Sequence, residues 1–101
     1  MKNSFRCYDL AVNFYHFSRT LQIKGNLKEQ LDRAASSIVL NLAEGRGRGT
    51  KADQKRFFHM AFGSVRECQA IMDISPEPSA DAVQLADVLA ASVYCLIRSY
   101  G

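Results

Sequence analysis

The sequence predicts an all-α protein, an antiparallel up-down-up-down four-helix bundle forming a single domain over residues 1–101. Three observations predict it. Glycine and proline gather at Gly25, at Gly45 to Gly49, and at Pro76 and Pro78, with Gly63 and the terminal Gly101 as exceptions. The intervals between them are about 18 to 24 residues long and carry apolar side chains at helical spacing, enough for rods of roughly 30 Å. No interval shows the strict alternation of a strand. Short connections between long helices favour antiparallel neighbours. A hydrophobic content of 48% is that of a folded chain, and 101 residues suffice for one core but not two.

The first helix is expected from about Phe5 to Ile23. Its apolar side chains fall on a helical wheel into two groups, Tyr8, Ala11, Val12 and Tyr15 against Leu10, Phe14, Phe17 and Leu21. A polar wedge of Arg6, Asp9, Asn13, His16 and Thr20 separates them. A surface helix of a monomeric bundle needs one apolar face. Two faces imply a second burial partner, most simply another subunit, with Phe14 and Phe17 at the contact.

The second helix is expected to start at Asn26, with Glu29 three residues on as a variant capping box. Leu27, Leu31, Ala34, Ala35, Ile38 and Leu42 form its single core stripe, and Gly45 stands where a left-handed C-terminal cap belongs. The third helix starts from Thr50 with Asp53 in capping-box position. Its apolar arc is wide: Phe57, Phe58, Met60, Ala61, Phe62, Val65, Cys68, Ile71 and Met72. Ser79 opens the fourth, whose stripe is Val83, Ala86, Leu89, Val93, Leu96, Ile97 and Tyr100.

Chemistry is sparse along these helices. His16 and His59 are the only histidines, and neither has a carboxylate three or four residues on in a metal-binding pattern. The chain has no Glu-x-x-His pair, Walker-type loop, nucleophile elbow or HExxH. The expectation is a protein without enzymatic activity, cofactor or metal. Cys7, Cys68 and Cys95 are odd in number and widely spaced within apolar patterns, which reads as buried thiols in a reducing compartment. The N-terminal segment lacks an uninterrupted apolar run, so neither a signal peptide nor a membrane span is expected, and the location is cytoplasmic.

Charge is the informative feature. From Gly45 to Arg56 the chain reads GRGRGTKADQKR, with Arg46, Arg48, Lys51, Lys55 and Arg56 against Asp53, a net of +4. The whole chain is +3, so the other 89 residues sum to −1. A local field of this kind calls for an anionic partner or a solvated turn. Alternating glycines and arginines that lead into a helix N-terminus suit phosphate. Lys55, His59 and Arg66 continue the basic surface along one side of the third helix. One such cluster binds nucleic acid weakly, because affinity grows with the number of phosphates neutralised, so copy number decides its reach. On the second helix, Gln30, Arg33, Ser37, Asn41 and Glu44 follow 3-4-4-3 spacing beside the core stripe. Polar strips so placed form hydrogen-bond networks within a bundle or across an interface. Arg33 and Glu44 stand too far apart to pair, so each is expected to meet a group elsewhere.

The stretches RAASSIVLNLAEGRGRGT (Arg33 to Thr50) and RFFHMAFGSVREC (Arg56 to Cys68) closely resemble the four-helix-bundle family called 23S rRNA intervening-sequence proteins. The resemblance rests on Arg33, Ala34, Ala35, Ser37, Ile38, Asn41, Leu42, Ala43, Glu44 and Gly45, then Phe57, Ala61, Gly63, Ser64 and Glu67. Tyr8 to Leu10 fits the family's start. The chain departs from it at Val39, where many members carry proline, and in having no tryptophan. The resemblance implies a homopentamer. The family in turn resembles the accessory variability protein of diversity-generating retroelements, a basic pentamer that binds nucleic acid and a reverse transcriptase. The expected function is that of a homo-oligomeric bundle binding nucleic acid, RNA foremost, through Arg46, Arg48, Lys51, Lys55 and Arg56. The alternative is a scaffold docking an acidic protein partner.

Overall fold

Four helices account for about four-fifths of the chain in the computed structural model, which describes residues 2–76 and 79–100, the first four as backbone alone: α1 (Lys2–Ser18), α2 (Asn26–Arg46), α3 (Lys51–Ile74) and α4 (Ala80–Arg98). α1 packs on α2 and α4, and α3 packs on the same two, so the helices stand at the corners of a square in chain order. Pairings fix their directions. Arg33 meets Glu67, Ser37 meets Ser64 and Gly45 meets Phe58, so rising numbers on α2 match falling numbers on α3. Gln69 with Asp87, Phe62 with Tyr94 and Phe58 with Tyr100 make α3 and α4 antiparallel in the same way. The bundle measures 41 × 21 × 19 Å.

Each helix presents a buried stripe at helical spacing. The contributors include Ala11 and Phe14 on α1, Leu31, Ile38 and Leu42 on α2, Phe58, Val65 and Met72 on α3, and Ala86, Leu89 and Val93 on α4. α4 is the one described helix long and apolar enough to cross a membrane. Its stripe from Ala82 to Ile97 is buried among the other helices.

Two of the expected starts hold in detail. Thr50 accepts the backbone N–H of Asp53 at 3.1 Å and Ser79 that of Ala82 at 3.2 Å, each satisfying one orphan donor of its helix. The start of α2 differs. Asn26 is the first helical residue, and the cap is Gly25, at φ 65° and with no side-chain bond. The chain reverses there, and a left-handed φ favours glycine. α1 stops at Ser18, short of Ile23, where the N–H groups of Thr20 and Leu21 turn to the carbonyls three residues back and side chains share the last carbonyls. Ser18 Oγ donates to Tyr15 O and Thr20 Oγ1 to Phe17 O, while Lys28 Nζ donates to the carbonyls of Ser18 and Arg19.

Gly45 is not a left-handed cap. It lies buried inside α2, which runs one residue further and closes at Gly47 with an ordinary right-handed φ of −90°. Its reason is steric. A Cβ on Gly45 would stand 2.6 Å from Phe58 Cε1 and 3.1 Å from Phe57 Cβ, so the missing side chain lets α3 approach α2.

The two-faced reading of α1 also changes. Its buried line is Cys7, Ala11, Phe14 and Ser18, which runs between the two apolar groups. Tyr8 and Tyr15 flank it on one side and Leu10, Phe17 and Leu21 on the other, all packed against the same core. A helix at a corner serves two neighbours, so its apolar arc is wide rather than doubled. Phe14, 1% exposed, belongs to its own chain's core and is no intersubunit contact, and Phe17 is half-buried against that core. Met60, expected in the α3 arc, is exposed, and Cys95 is exposed while Cys7 and Cys68 are buried.

Candidate nucleic-acid interface

The up-down-up-down topology gathers four chain segments at one end of the bundle: the start of α1, the end of α2 with its turn, the start of α3 and the end of α4. Among residues whose side chains are described, this end holds Arg6, Arg46, Arg48, Lys51, Lys55, Arg56 and Arg98 against Asp9, Glu44 and Asp53. Seven basic groups against three acidic give +4. The other half holds Arg19, Lys24, Lys28, Arg33 and Arg66 against Glu29, Asp32, Glu67, Asp73, Asp81 and Asp87, or −1. Charge is therefore segregated along the long axis, and the Gly45–Arg56 segment accounts for the net, since Arg6 and Arg98 at that end are offset in number by Asp9 and Glu44.

Within that end the arginines are organised around one ring and one carboxylate. The guanidinium carbons of Arg48 and Arg56 lie 4.8 and 4.5 Å from the centroid of Phe57. Arg56 donates from Nε and Nη2 to Asp53 Oδ1 at 3.1 and 3.0 Å. Arg48 Nε stands 2.9 Å from Asp53 Oδ2, an ion pair by distance whose angle does not make a hydrogen bond, and its Nη1 is 3.3 Å from Glu44. Gln54 Nε2 donates to the Arg48 carbonyl at 3.0 Å and fixes the turn. Asp53 thus spends its carboxylate on two arginines instead of completing the capping box. Two arginines and two acids leave this cluster without net charge.

The remaining basic groups of this end lie around it. Lys51 is exposed and Lys55 half-buried, and neither forms an ion pair among the described residues. Arg46 lies over the Tyr8 ring at 5.4 Å, which ties the end of α2 to α1. His59 and Arg66 are exposed on α3. Arg66 sits about 16 Å along the helix from Lys55, at 1.5 Å per residue, and so outside the basic end. Arg98 was missing from the sequence-based site. Its signal lay in topology: the last turn of α4 must share an end with the turn between α2 and α3. The Tyr94 hydroxyl accepts from Arg98 at 3.5 Å and raises its pKa further above the ordinary arginine value, so it stays charged.

Four of the five positions of the polar strip on α2 find partners within the chain. Asn41 Nδ2 donates to Ser37 O and Ser37 Oγ at 2.9 and 3.0 Å, and Ser64 Oγ donates across to Ser37 Oγ at 2.9 Å. Arg33 pairs with Glu67 at 3.3 Å, and Glu44 with Arg48. Gln30 is exposed. Beside the strip, Val12, Tyr15, His16, Ser36, Val39 and Leu40 line an apolar groove of about 300 Å³ between α1 and α2. Leu40 is 66% exposed there.

Among the described residues no three His, Cys, Asp or Glu side chains are grouped to hold a metal ion. Comparison with curated proteins gives no match. A family comparison does. The model of the 23S rRNA-intervening sequence proteins matches residues 4–80, taking in α1, α2, the basic turn and α3, and the chain belongs to that family.

Proposed function

We propose that this protein is a non-enzymatic, homo-oligomeric bundle that binds nucleic acid, RNA foremost, through its basic end. The observation that carries the reading is the segregation of charge, +4 at one end and −1 over the other half among described side chains. Lys51, Lys55, Arg46, Arg6 and Arg98 supply the field, and the Arg48–Phe57–Arg56 stack presents two further guanidinium edges in fixed positions. Each phosphate neutralised releases counterions, so binding weakens steeply with salt. One copy offers few contacts, and several copies side by side would multiply them. The pentamer is the assembly the family resemblance suggests, and the exposed Leu40 groove offers apolar area for a neighbouring copy.

The test is a titration of labelled RNA at low and rising salt, with sedimentation of the free protein alongside. Replacing Lys51 and Lys55 with glutamine should weaken binding and flatten the salt dependence. No binding at low salt, or binding indifferent to salt, removes the reading. Preferential capture of an acidic protein that RNA does not displace would favour the scaffold alternative.

A further inference from the structure

The face between α3 and α4 carries aromatic and basic groups that the charge pattern alone does not explain. Tyr94 is 50% exposed although it lies on the helix with the most apolar composition. Its ring meets Phe62 with centroids 6.2 Å apart and planes tilted at 48°, and Phe62 in turn is packed against the core. Arginines flank both rings. The Arg98 guanidinium carbon is 5.8 Å from the Tyr94 centroid and that of Arg66 is 5.9 Å from the Phe62 centroid. Arg66 is held in place through Gln69, which accepts from it at 3.0 Å and donates to Asp87 at 2.9 Å. The pairing of Phe58 with Tyr100 and of Phe62 with Tyr94 sets Arg98 level with residues 58–60 along α3, about one helical turn in height from Lys55. A fixed, half-exposed ring therefore lies between cations on a surface continuous with the basic end.

We propose that this face binds single-stranded nucleic acid, with an unstacked base lying on Tyr94 and its neighbouring phosphates on Arg98, Arg66 and Lys55. The inference rests on the nucleic-acid reading above and adds the strandedness of the ligand. An aromatic side chain offers a π-face that any base can stack on, and a duplex has no base face free to use it. Cations flanking the ring supply the matching phosphate contacts. Phe62 and the Arg98 contact hold the ring in position before the ligand arrives, which lowers the ordering cost.

The experiment compares a labelled oligouridylate of about ten nucleotides, within the usual site size for single-strand binders, with a duplex of equal length. The single strand should bind more tightly. Tyr94→Ala should weaken it roughly 5- to 100-fold, as expected for one lost stacking contact, while Tyr94→Phe keeps the ring and most of the affinity. Arg98→Gln should reduce the slope of log K against log salt by about 0.7, one phosphate on a single strand. Both tyrosine variants are checked for unchanged helicity and sedimentation. If Tyr94→Ala binds like the parent while the Lys51 and Lys55 variants bind weakly, the stacking site is wrong and the basic-end reading stands. If the parent binds neither probe, both fall. If Tyr94→Ala instead changes the sedimenting mass, the face belongs to a second copy and the inference is overturned.

Discussion

Gly45 and Gly63 both lie inside long helices, and replacing each with alanine separates packing from propensity. In an exposed helix interior alanine is favoured over glycine by about 1 kcal/mol. Gly63 is exposed with nothing within 4 Å of a built Cβ, so Gly63→Ala should deliver that gain in full. Gly45→Ala earns the same local term and then meets the ring of Phe58 at 2.6 and 2.9 Å. Phe58 is fully buried and edge-on to Tyr100 with centroids 5.3 Å apart, so the ring has little room to retreat. Over-packing of this kind costs about 1–3 kcal/mol, which leaves Gly45→Ala between neutral and about 2 kcal/mol less stable. The two variants should therefore differ by about 1–3 kcal/mol, or at least about 4 °C in Tm for a domain of this size. Urea titration followed by far-UV circular dichroism measures both. Equal stabilisation by the two substitutions would refute the close approach of α3 to α2 at Gly45.

Asp53→Asn removes the carboxylate shared by Arg48 and Arg56; exposed pairs are weak, so stability should fall by about 1 kcal/mol or less while affinity for RNA at low salt rises. Anisotropy titration checks the sign, and weaker binding would show that Asp53 orders the arginines for the ligand. Ser37→Ala leaves Asn41 and Ser64 short of an acceptor and should cost about 1–2 kcal/mol. A double-mutant cycle with Ser64→Ala should show coupling, and strict additivity would dissolve the network. Burial pushes the Cys68 thiol up to about 12 and raises Cys7 in the same direction, both from 9.0. Below pH 9 both states keep the Cys68 proton; above it the unfolded thiol ionises first, so stability should fall as pH rises from 9 towards 12, by up to about 1.4 kcal/mol per pH unit, and Cys7 contributes with the same sign. A disulfide reagent near neutral pH should modify the exposed Cys95 quickly and the buried pair only on denaturation, and rapid reaction of all three would contradict the burial.

Helix number, the caps at Thr50 and Ser79 and most of the core stripes were legible because local hydrogen bonds and helical spacing are sequence-near properties. Three readings failed where the answer depended on a neighbouring helix. Gly45 looked like a cap because glycine beyond a core stripe commonly is one, and only the position of Phe58 shows why the Cβ is absent. α1 looked two-faced because a wheel does not say how many neighbours a corner helix has. Cys95 fell within an apolar helix yet on its outer side. At the candidate site, counting charges along the chain set Asp53 against Arg46 to Arg56 but left out Glu44 and could not see that the two acids pair with Arg48 and Arg56 in particular. The same count missed Arg98, which is remote in sequence and adjacent in space.

The lengthwise separation of charge has a consequence for assembly. Copies standing in parallel would bring their positive ends together, and their repulsion would grow with each copy added. Added salt alone should then favour the larger assembly by screening that repulsion. A polyanion laid across those ends would act as counterion and tether at once. By thermodynamic linkage, whatever it gains in affinity from the assembled form it returns as stability of the assembly. Measured without its ligand, the protein would then dissociate at concentrations where the ligand-bound form holds together.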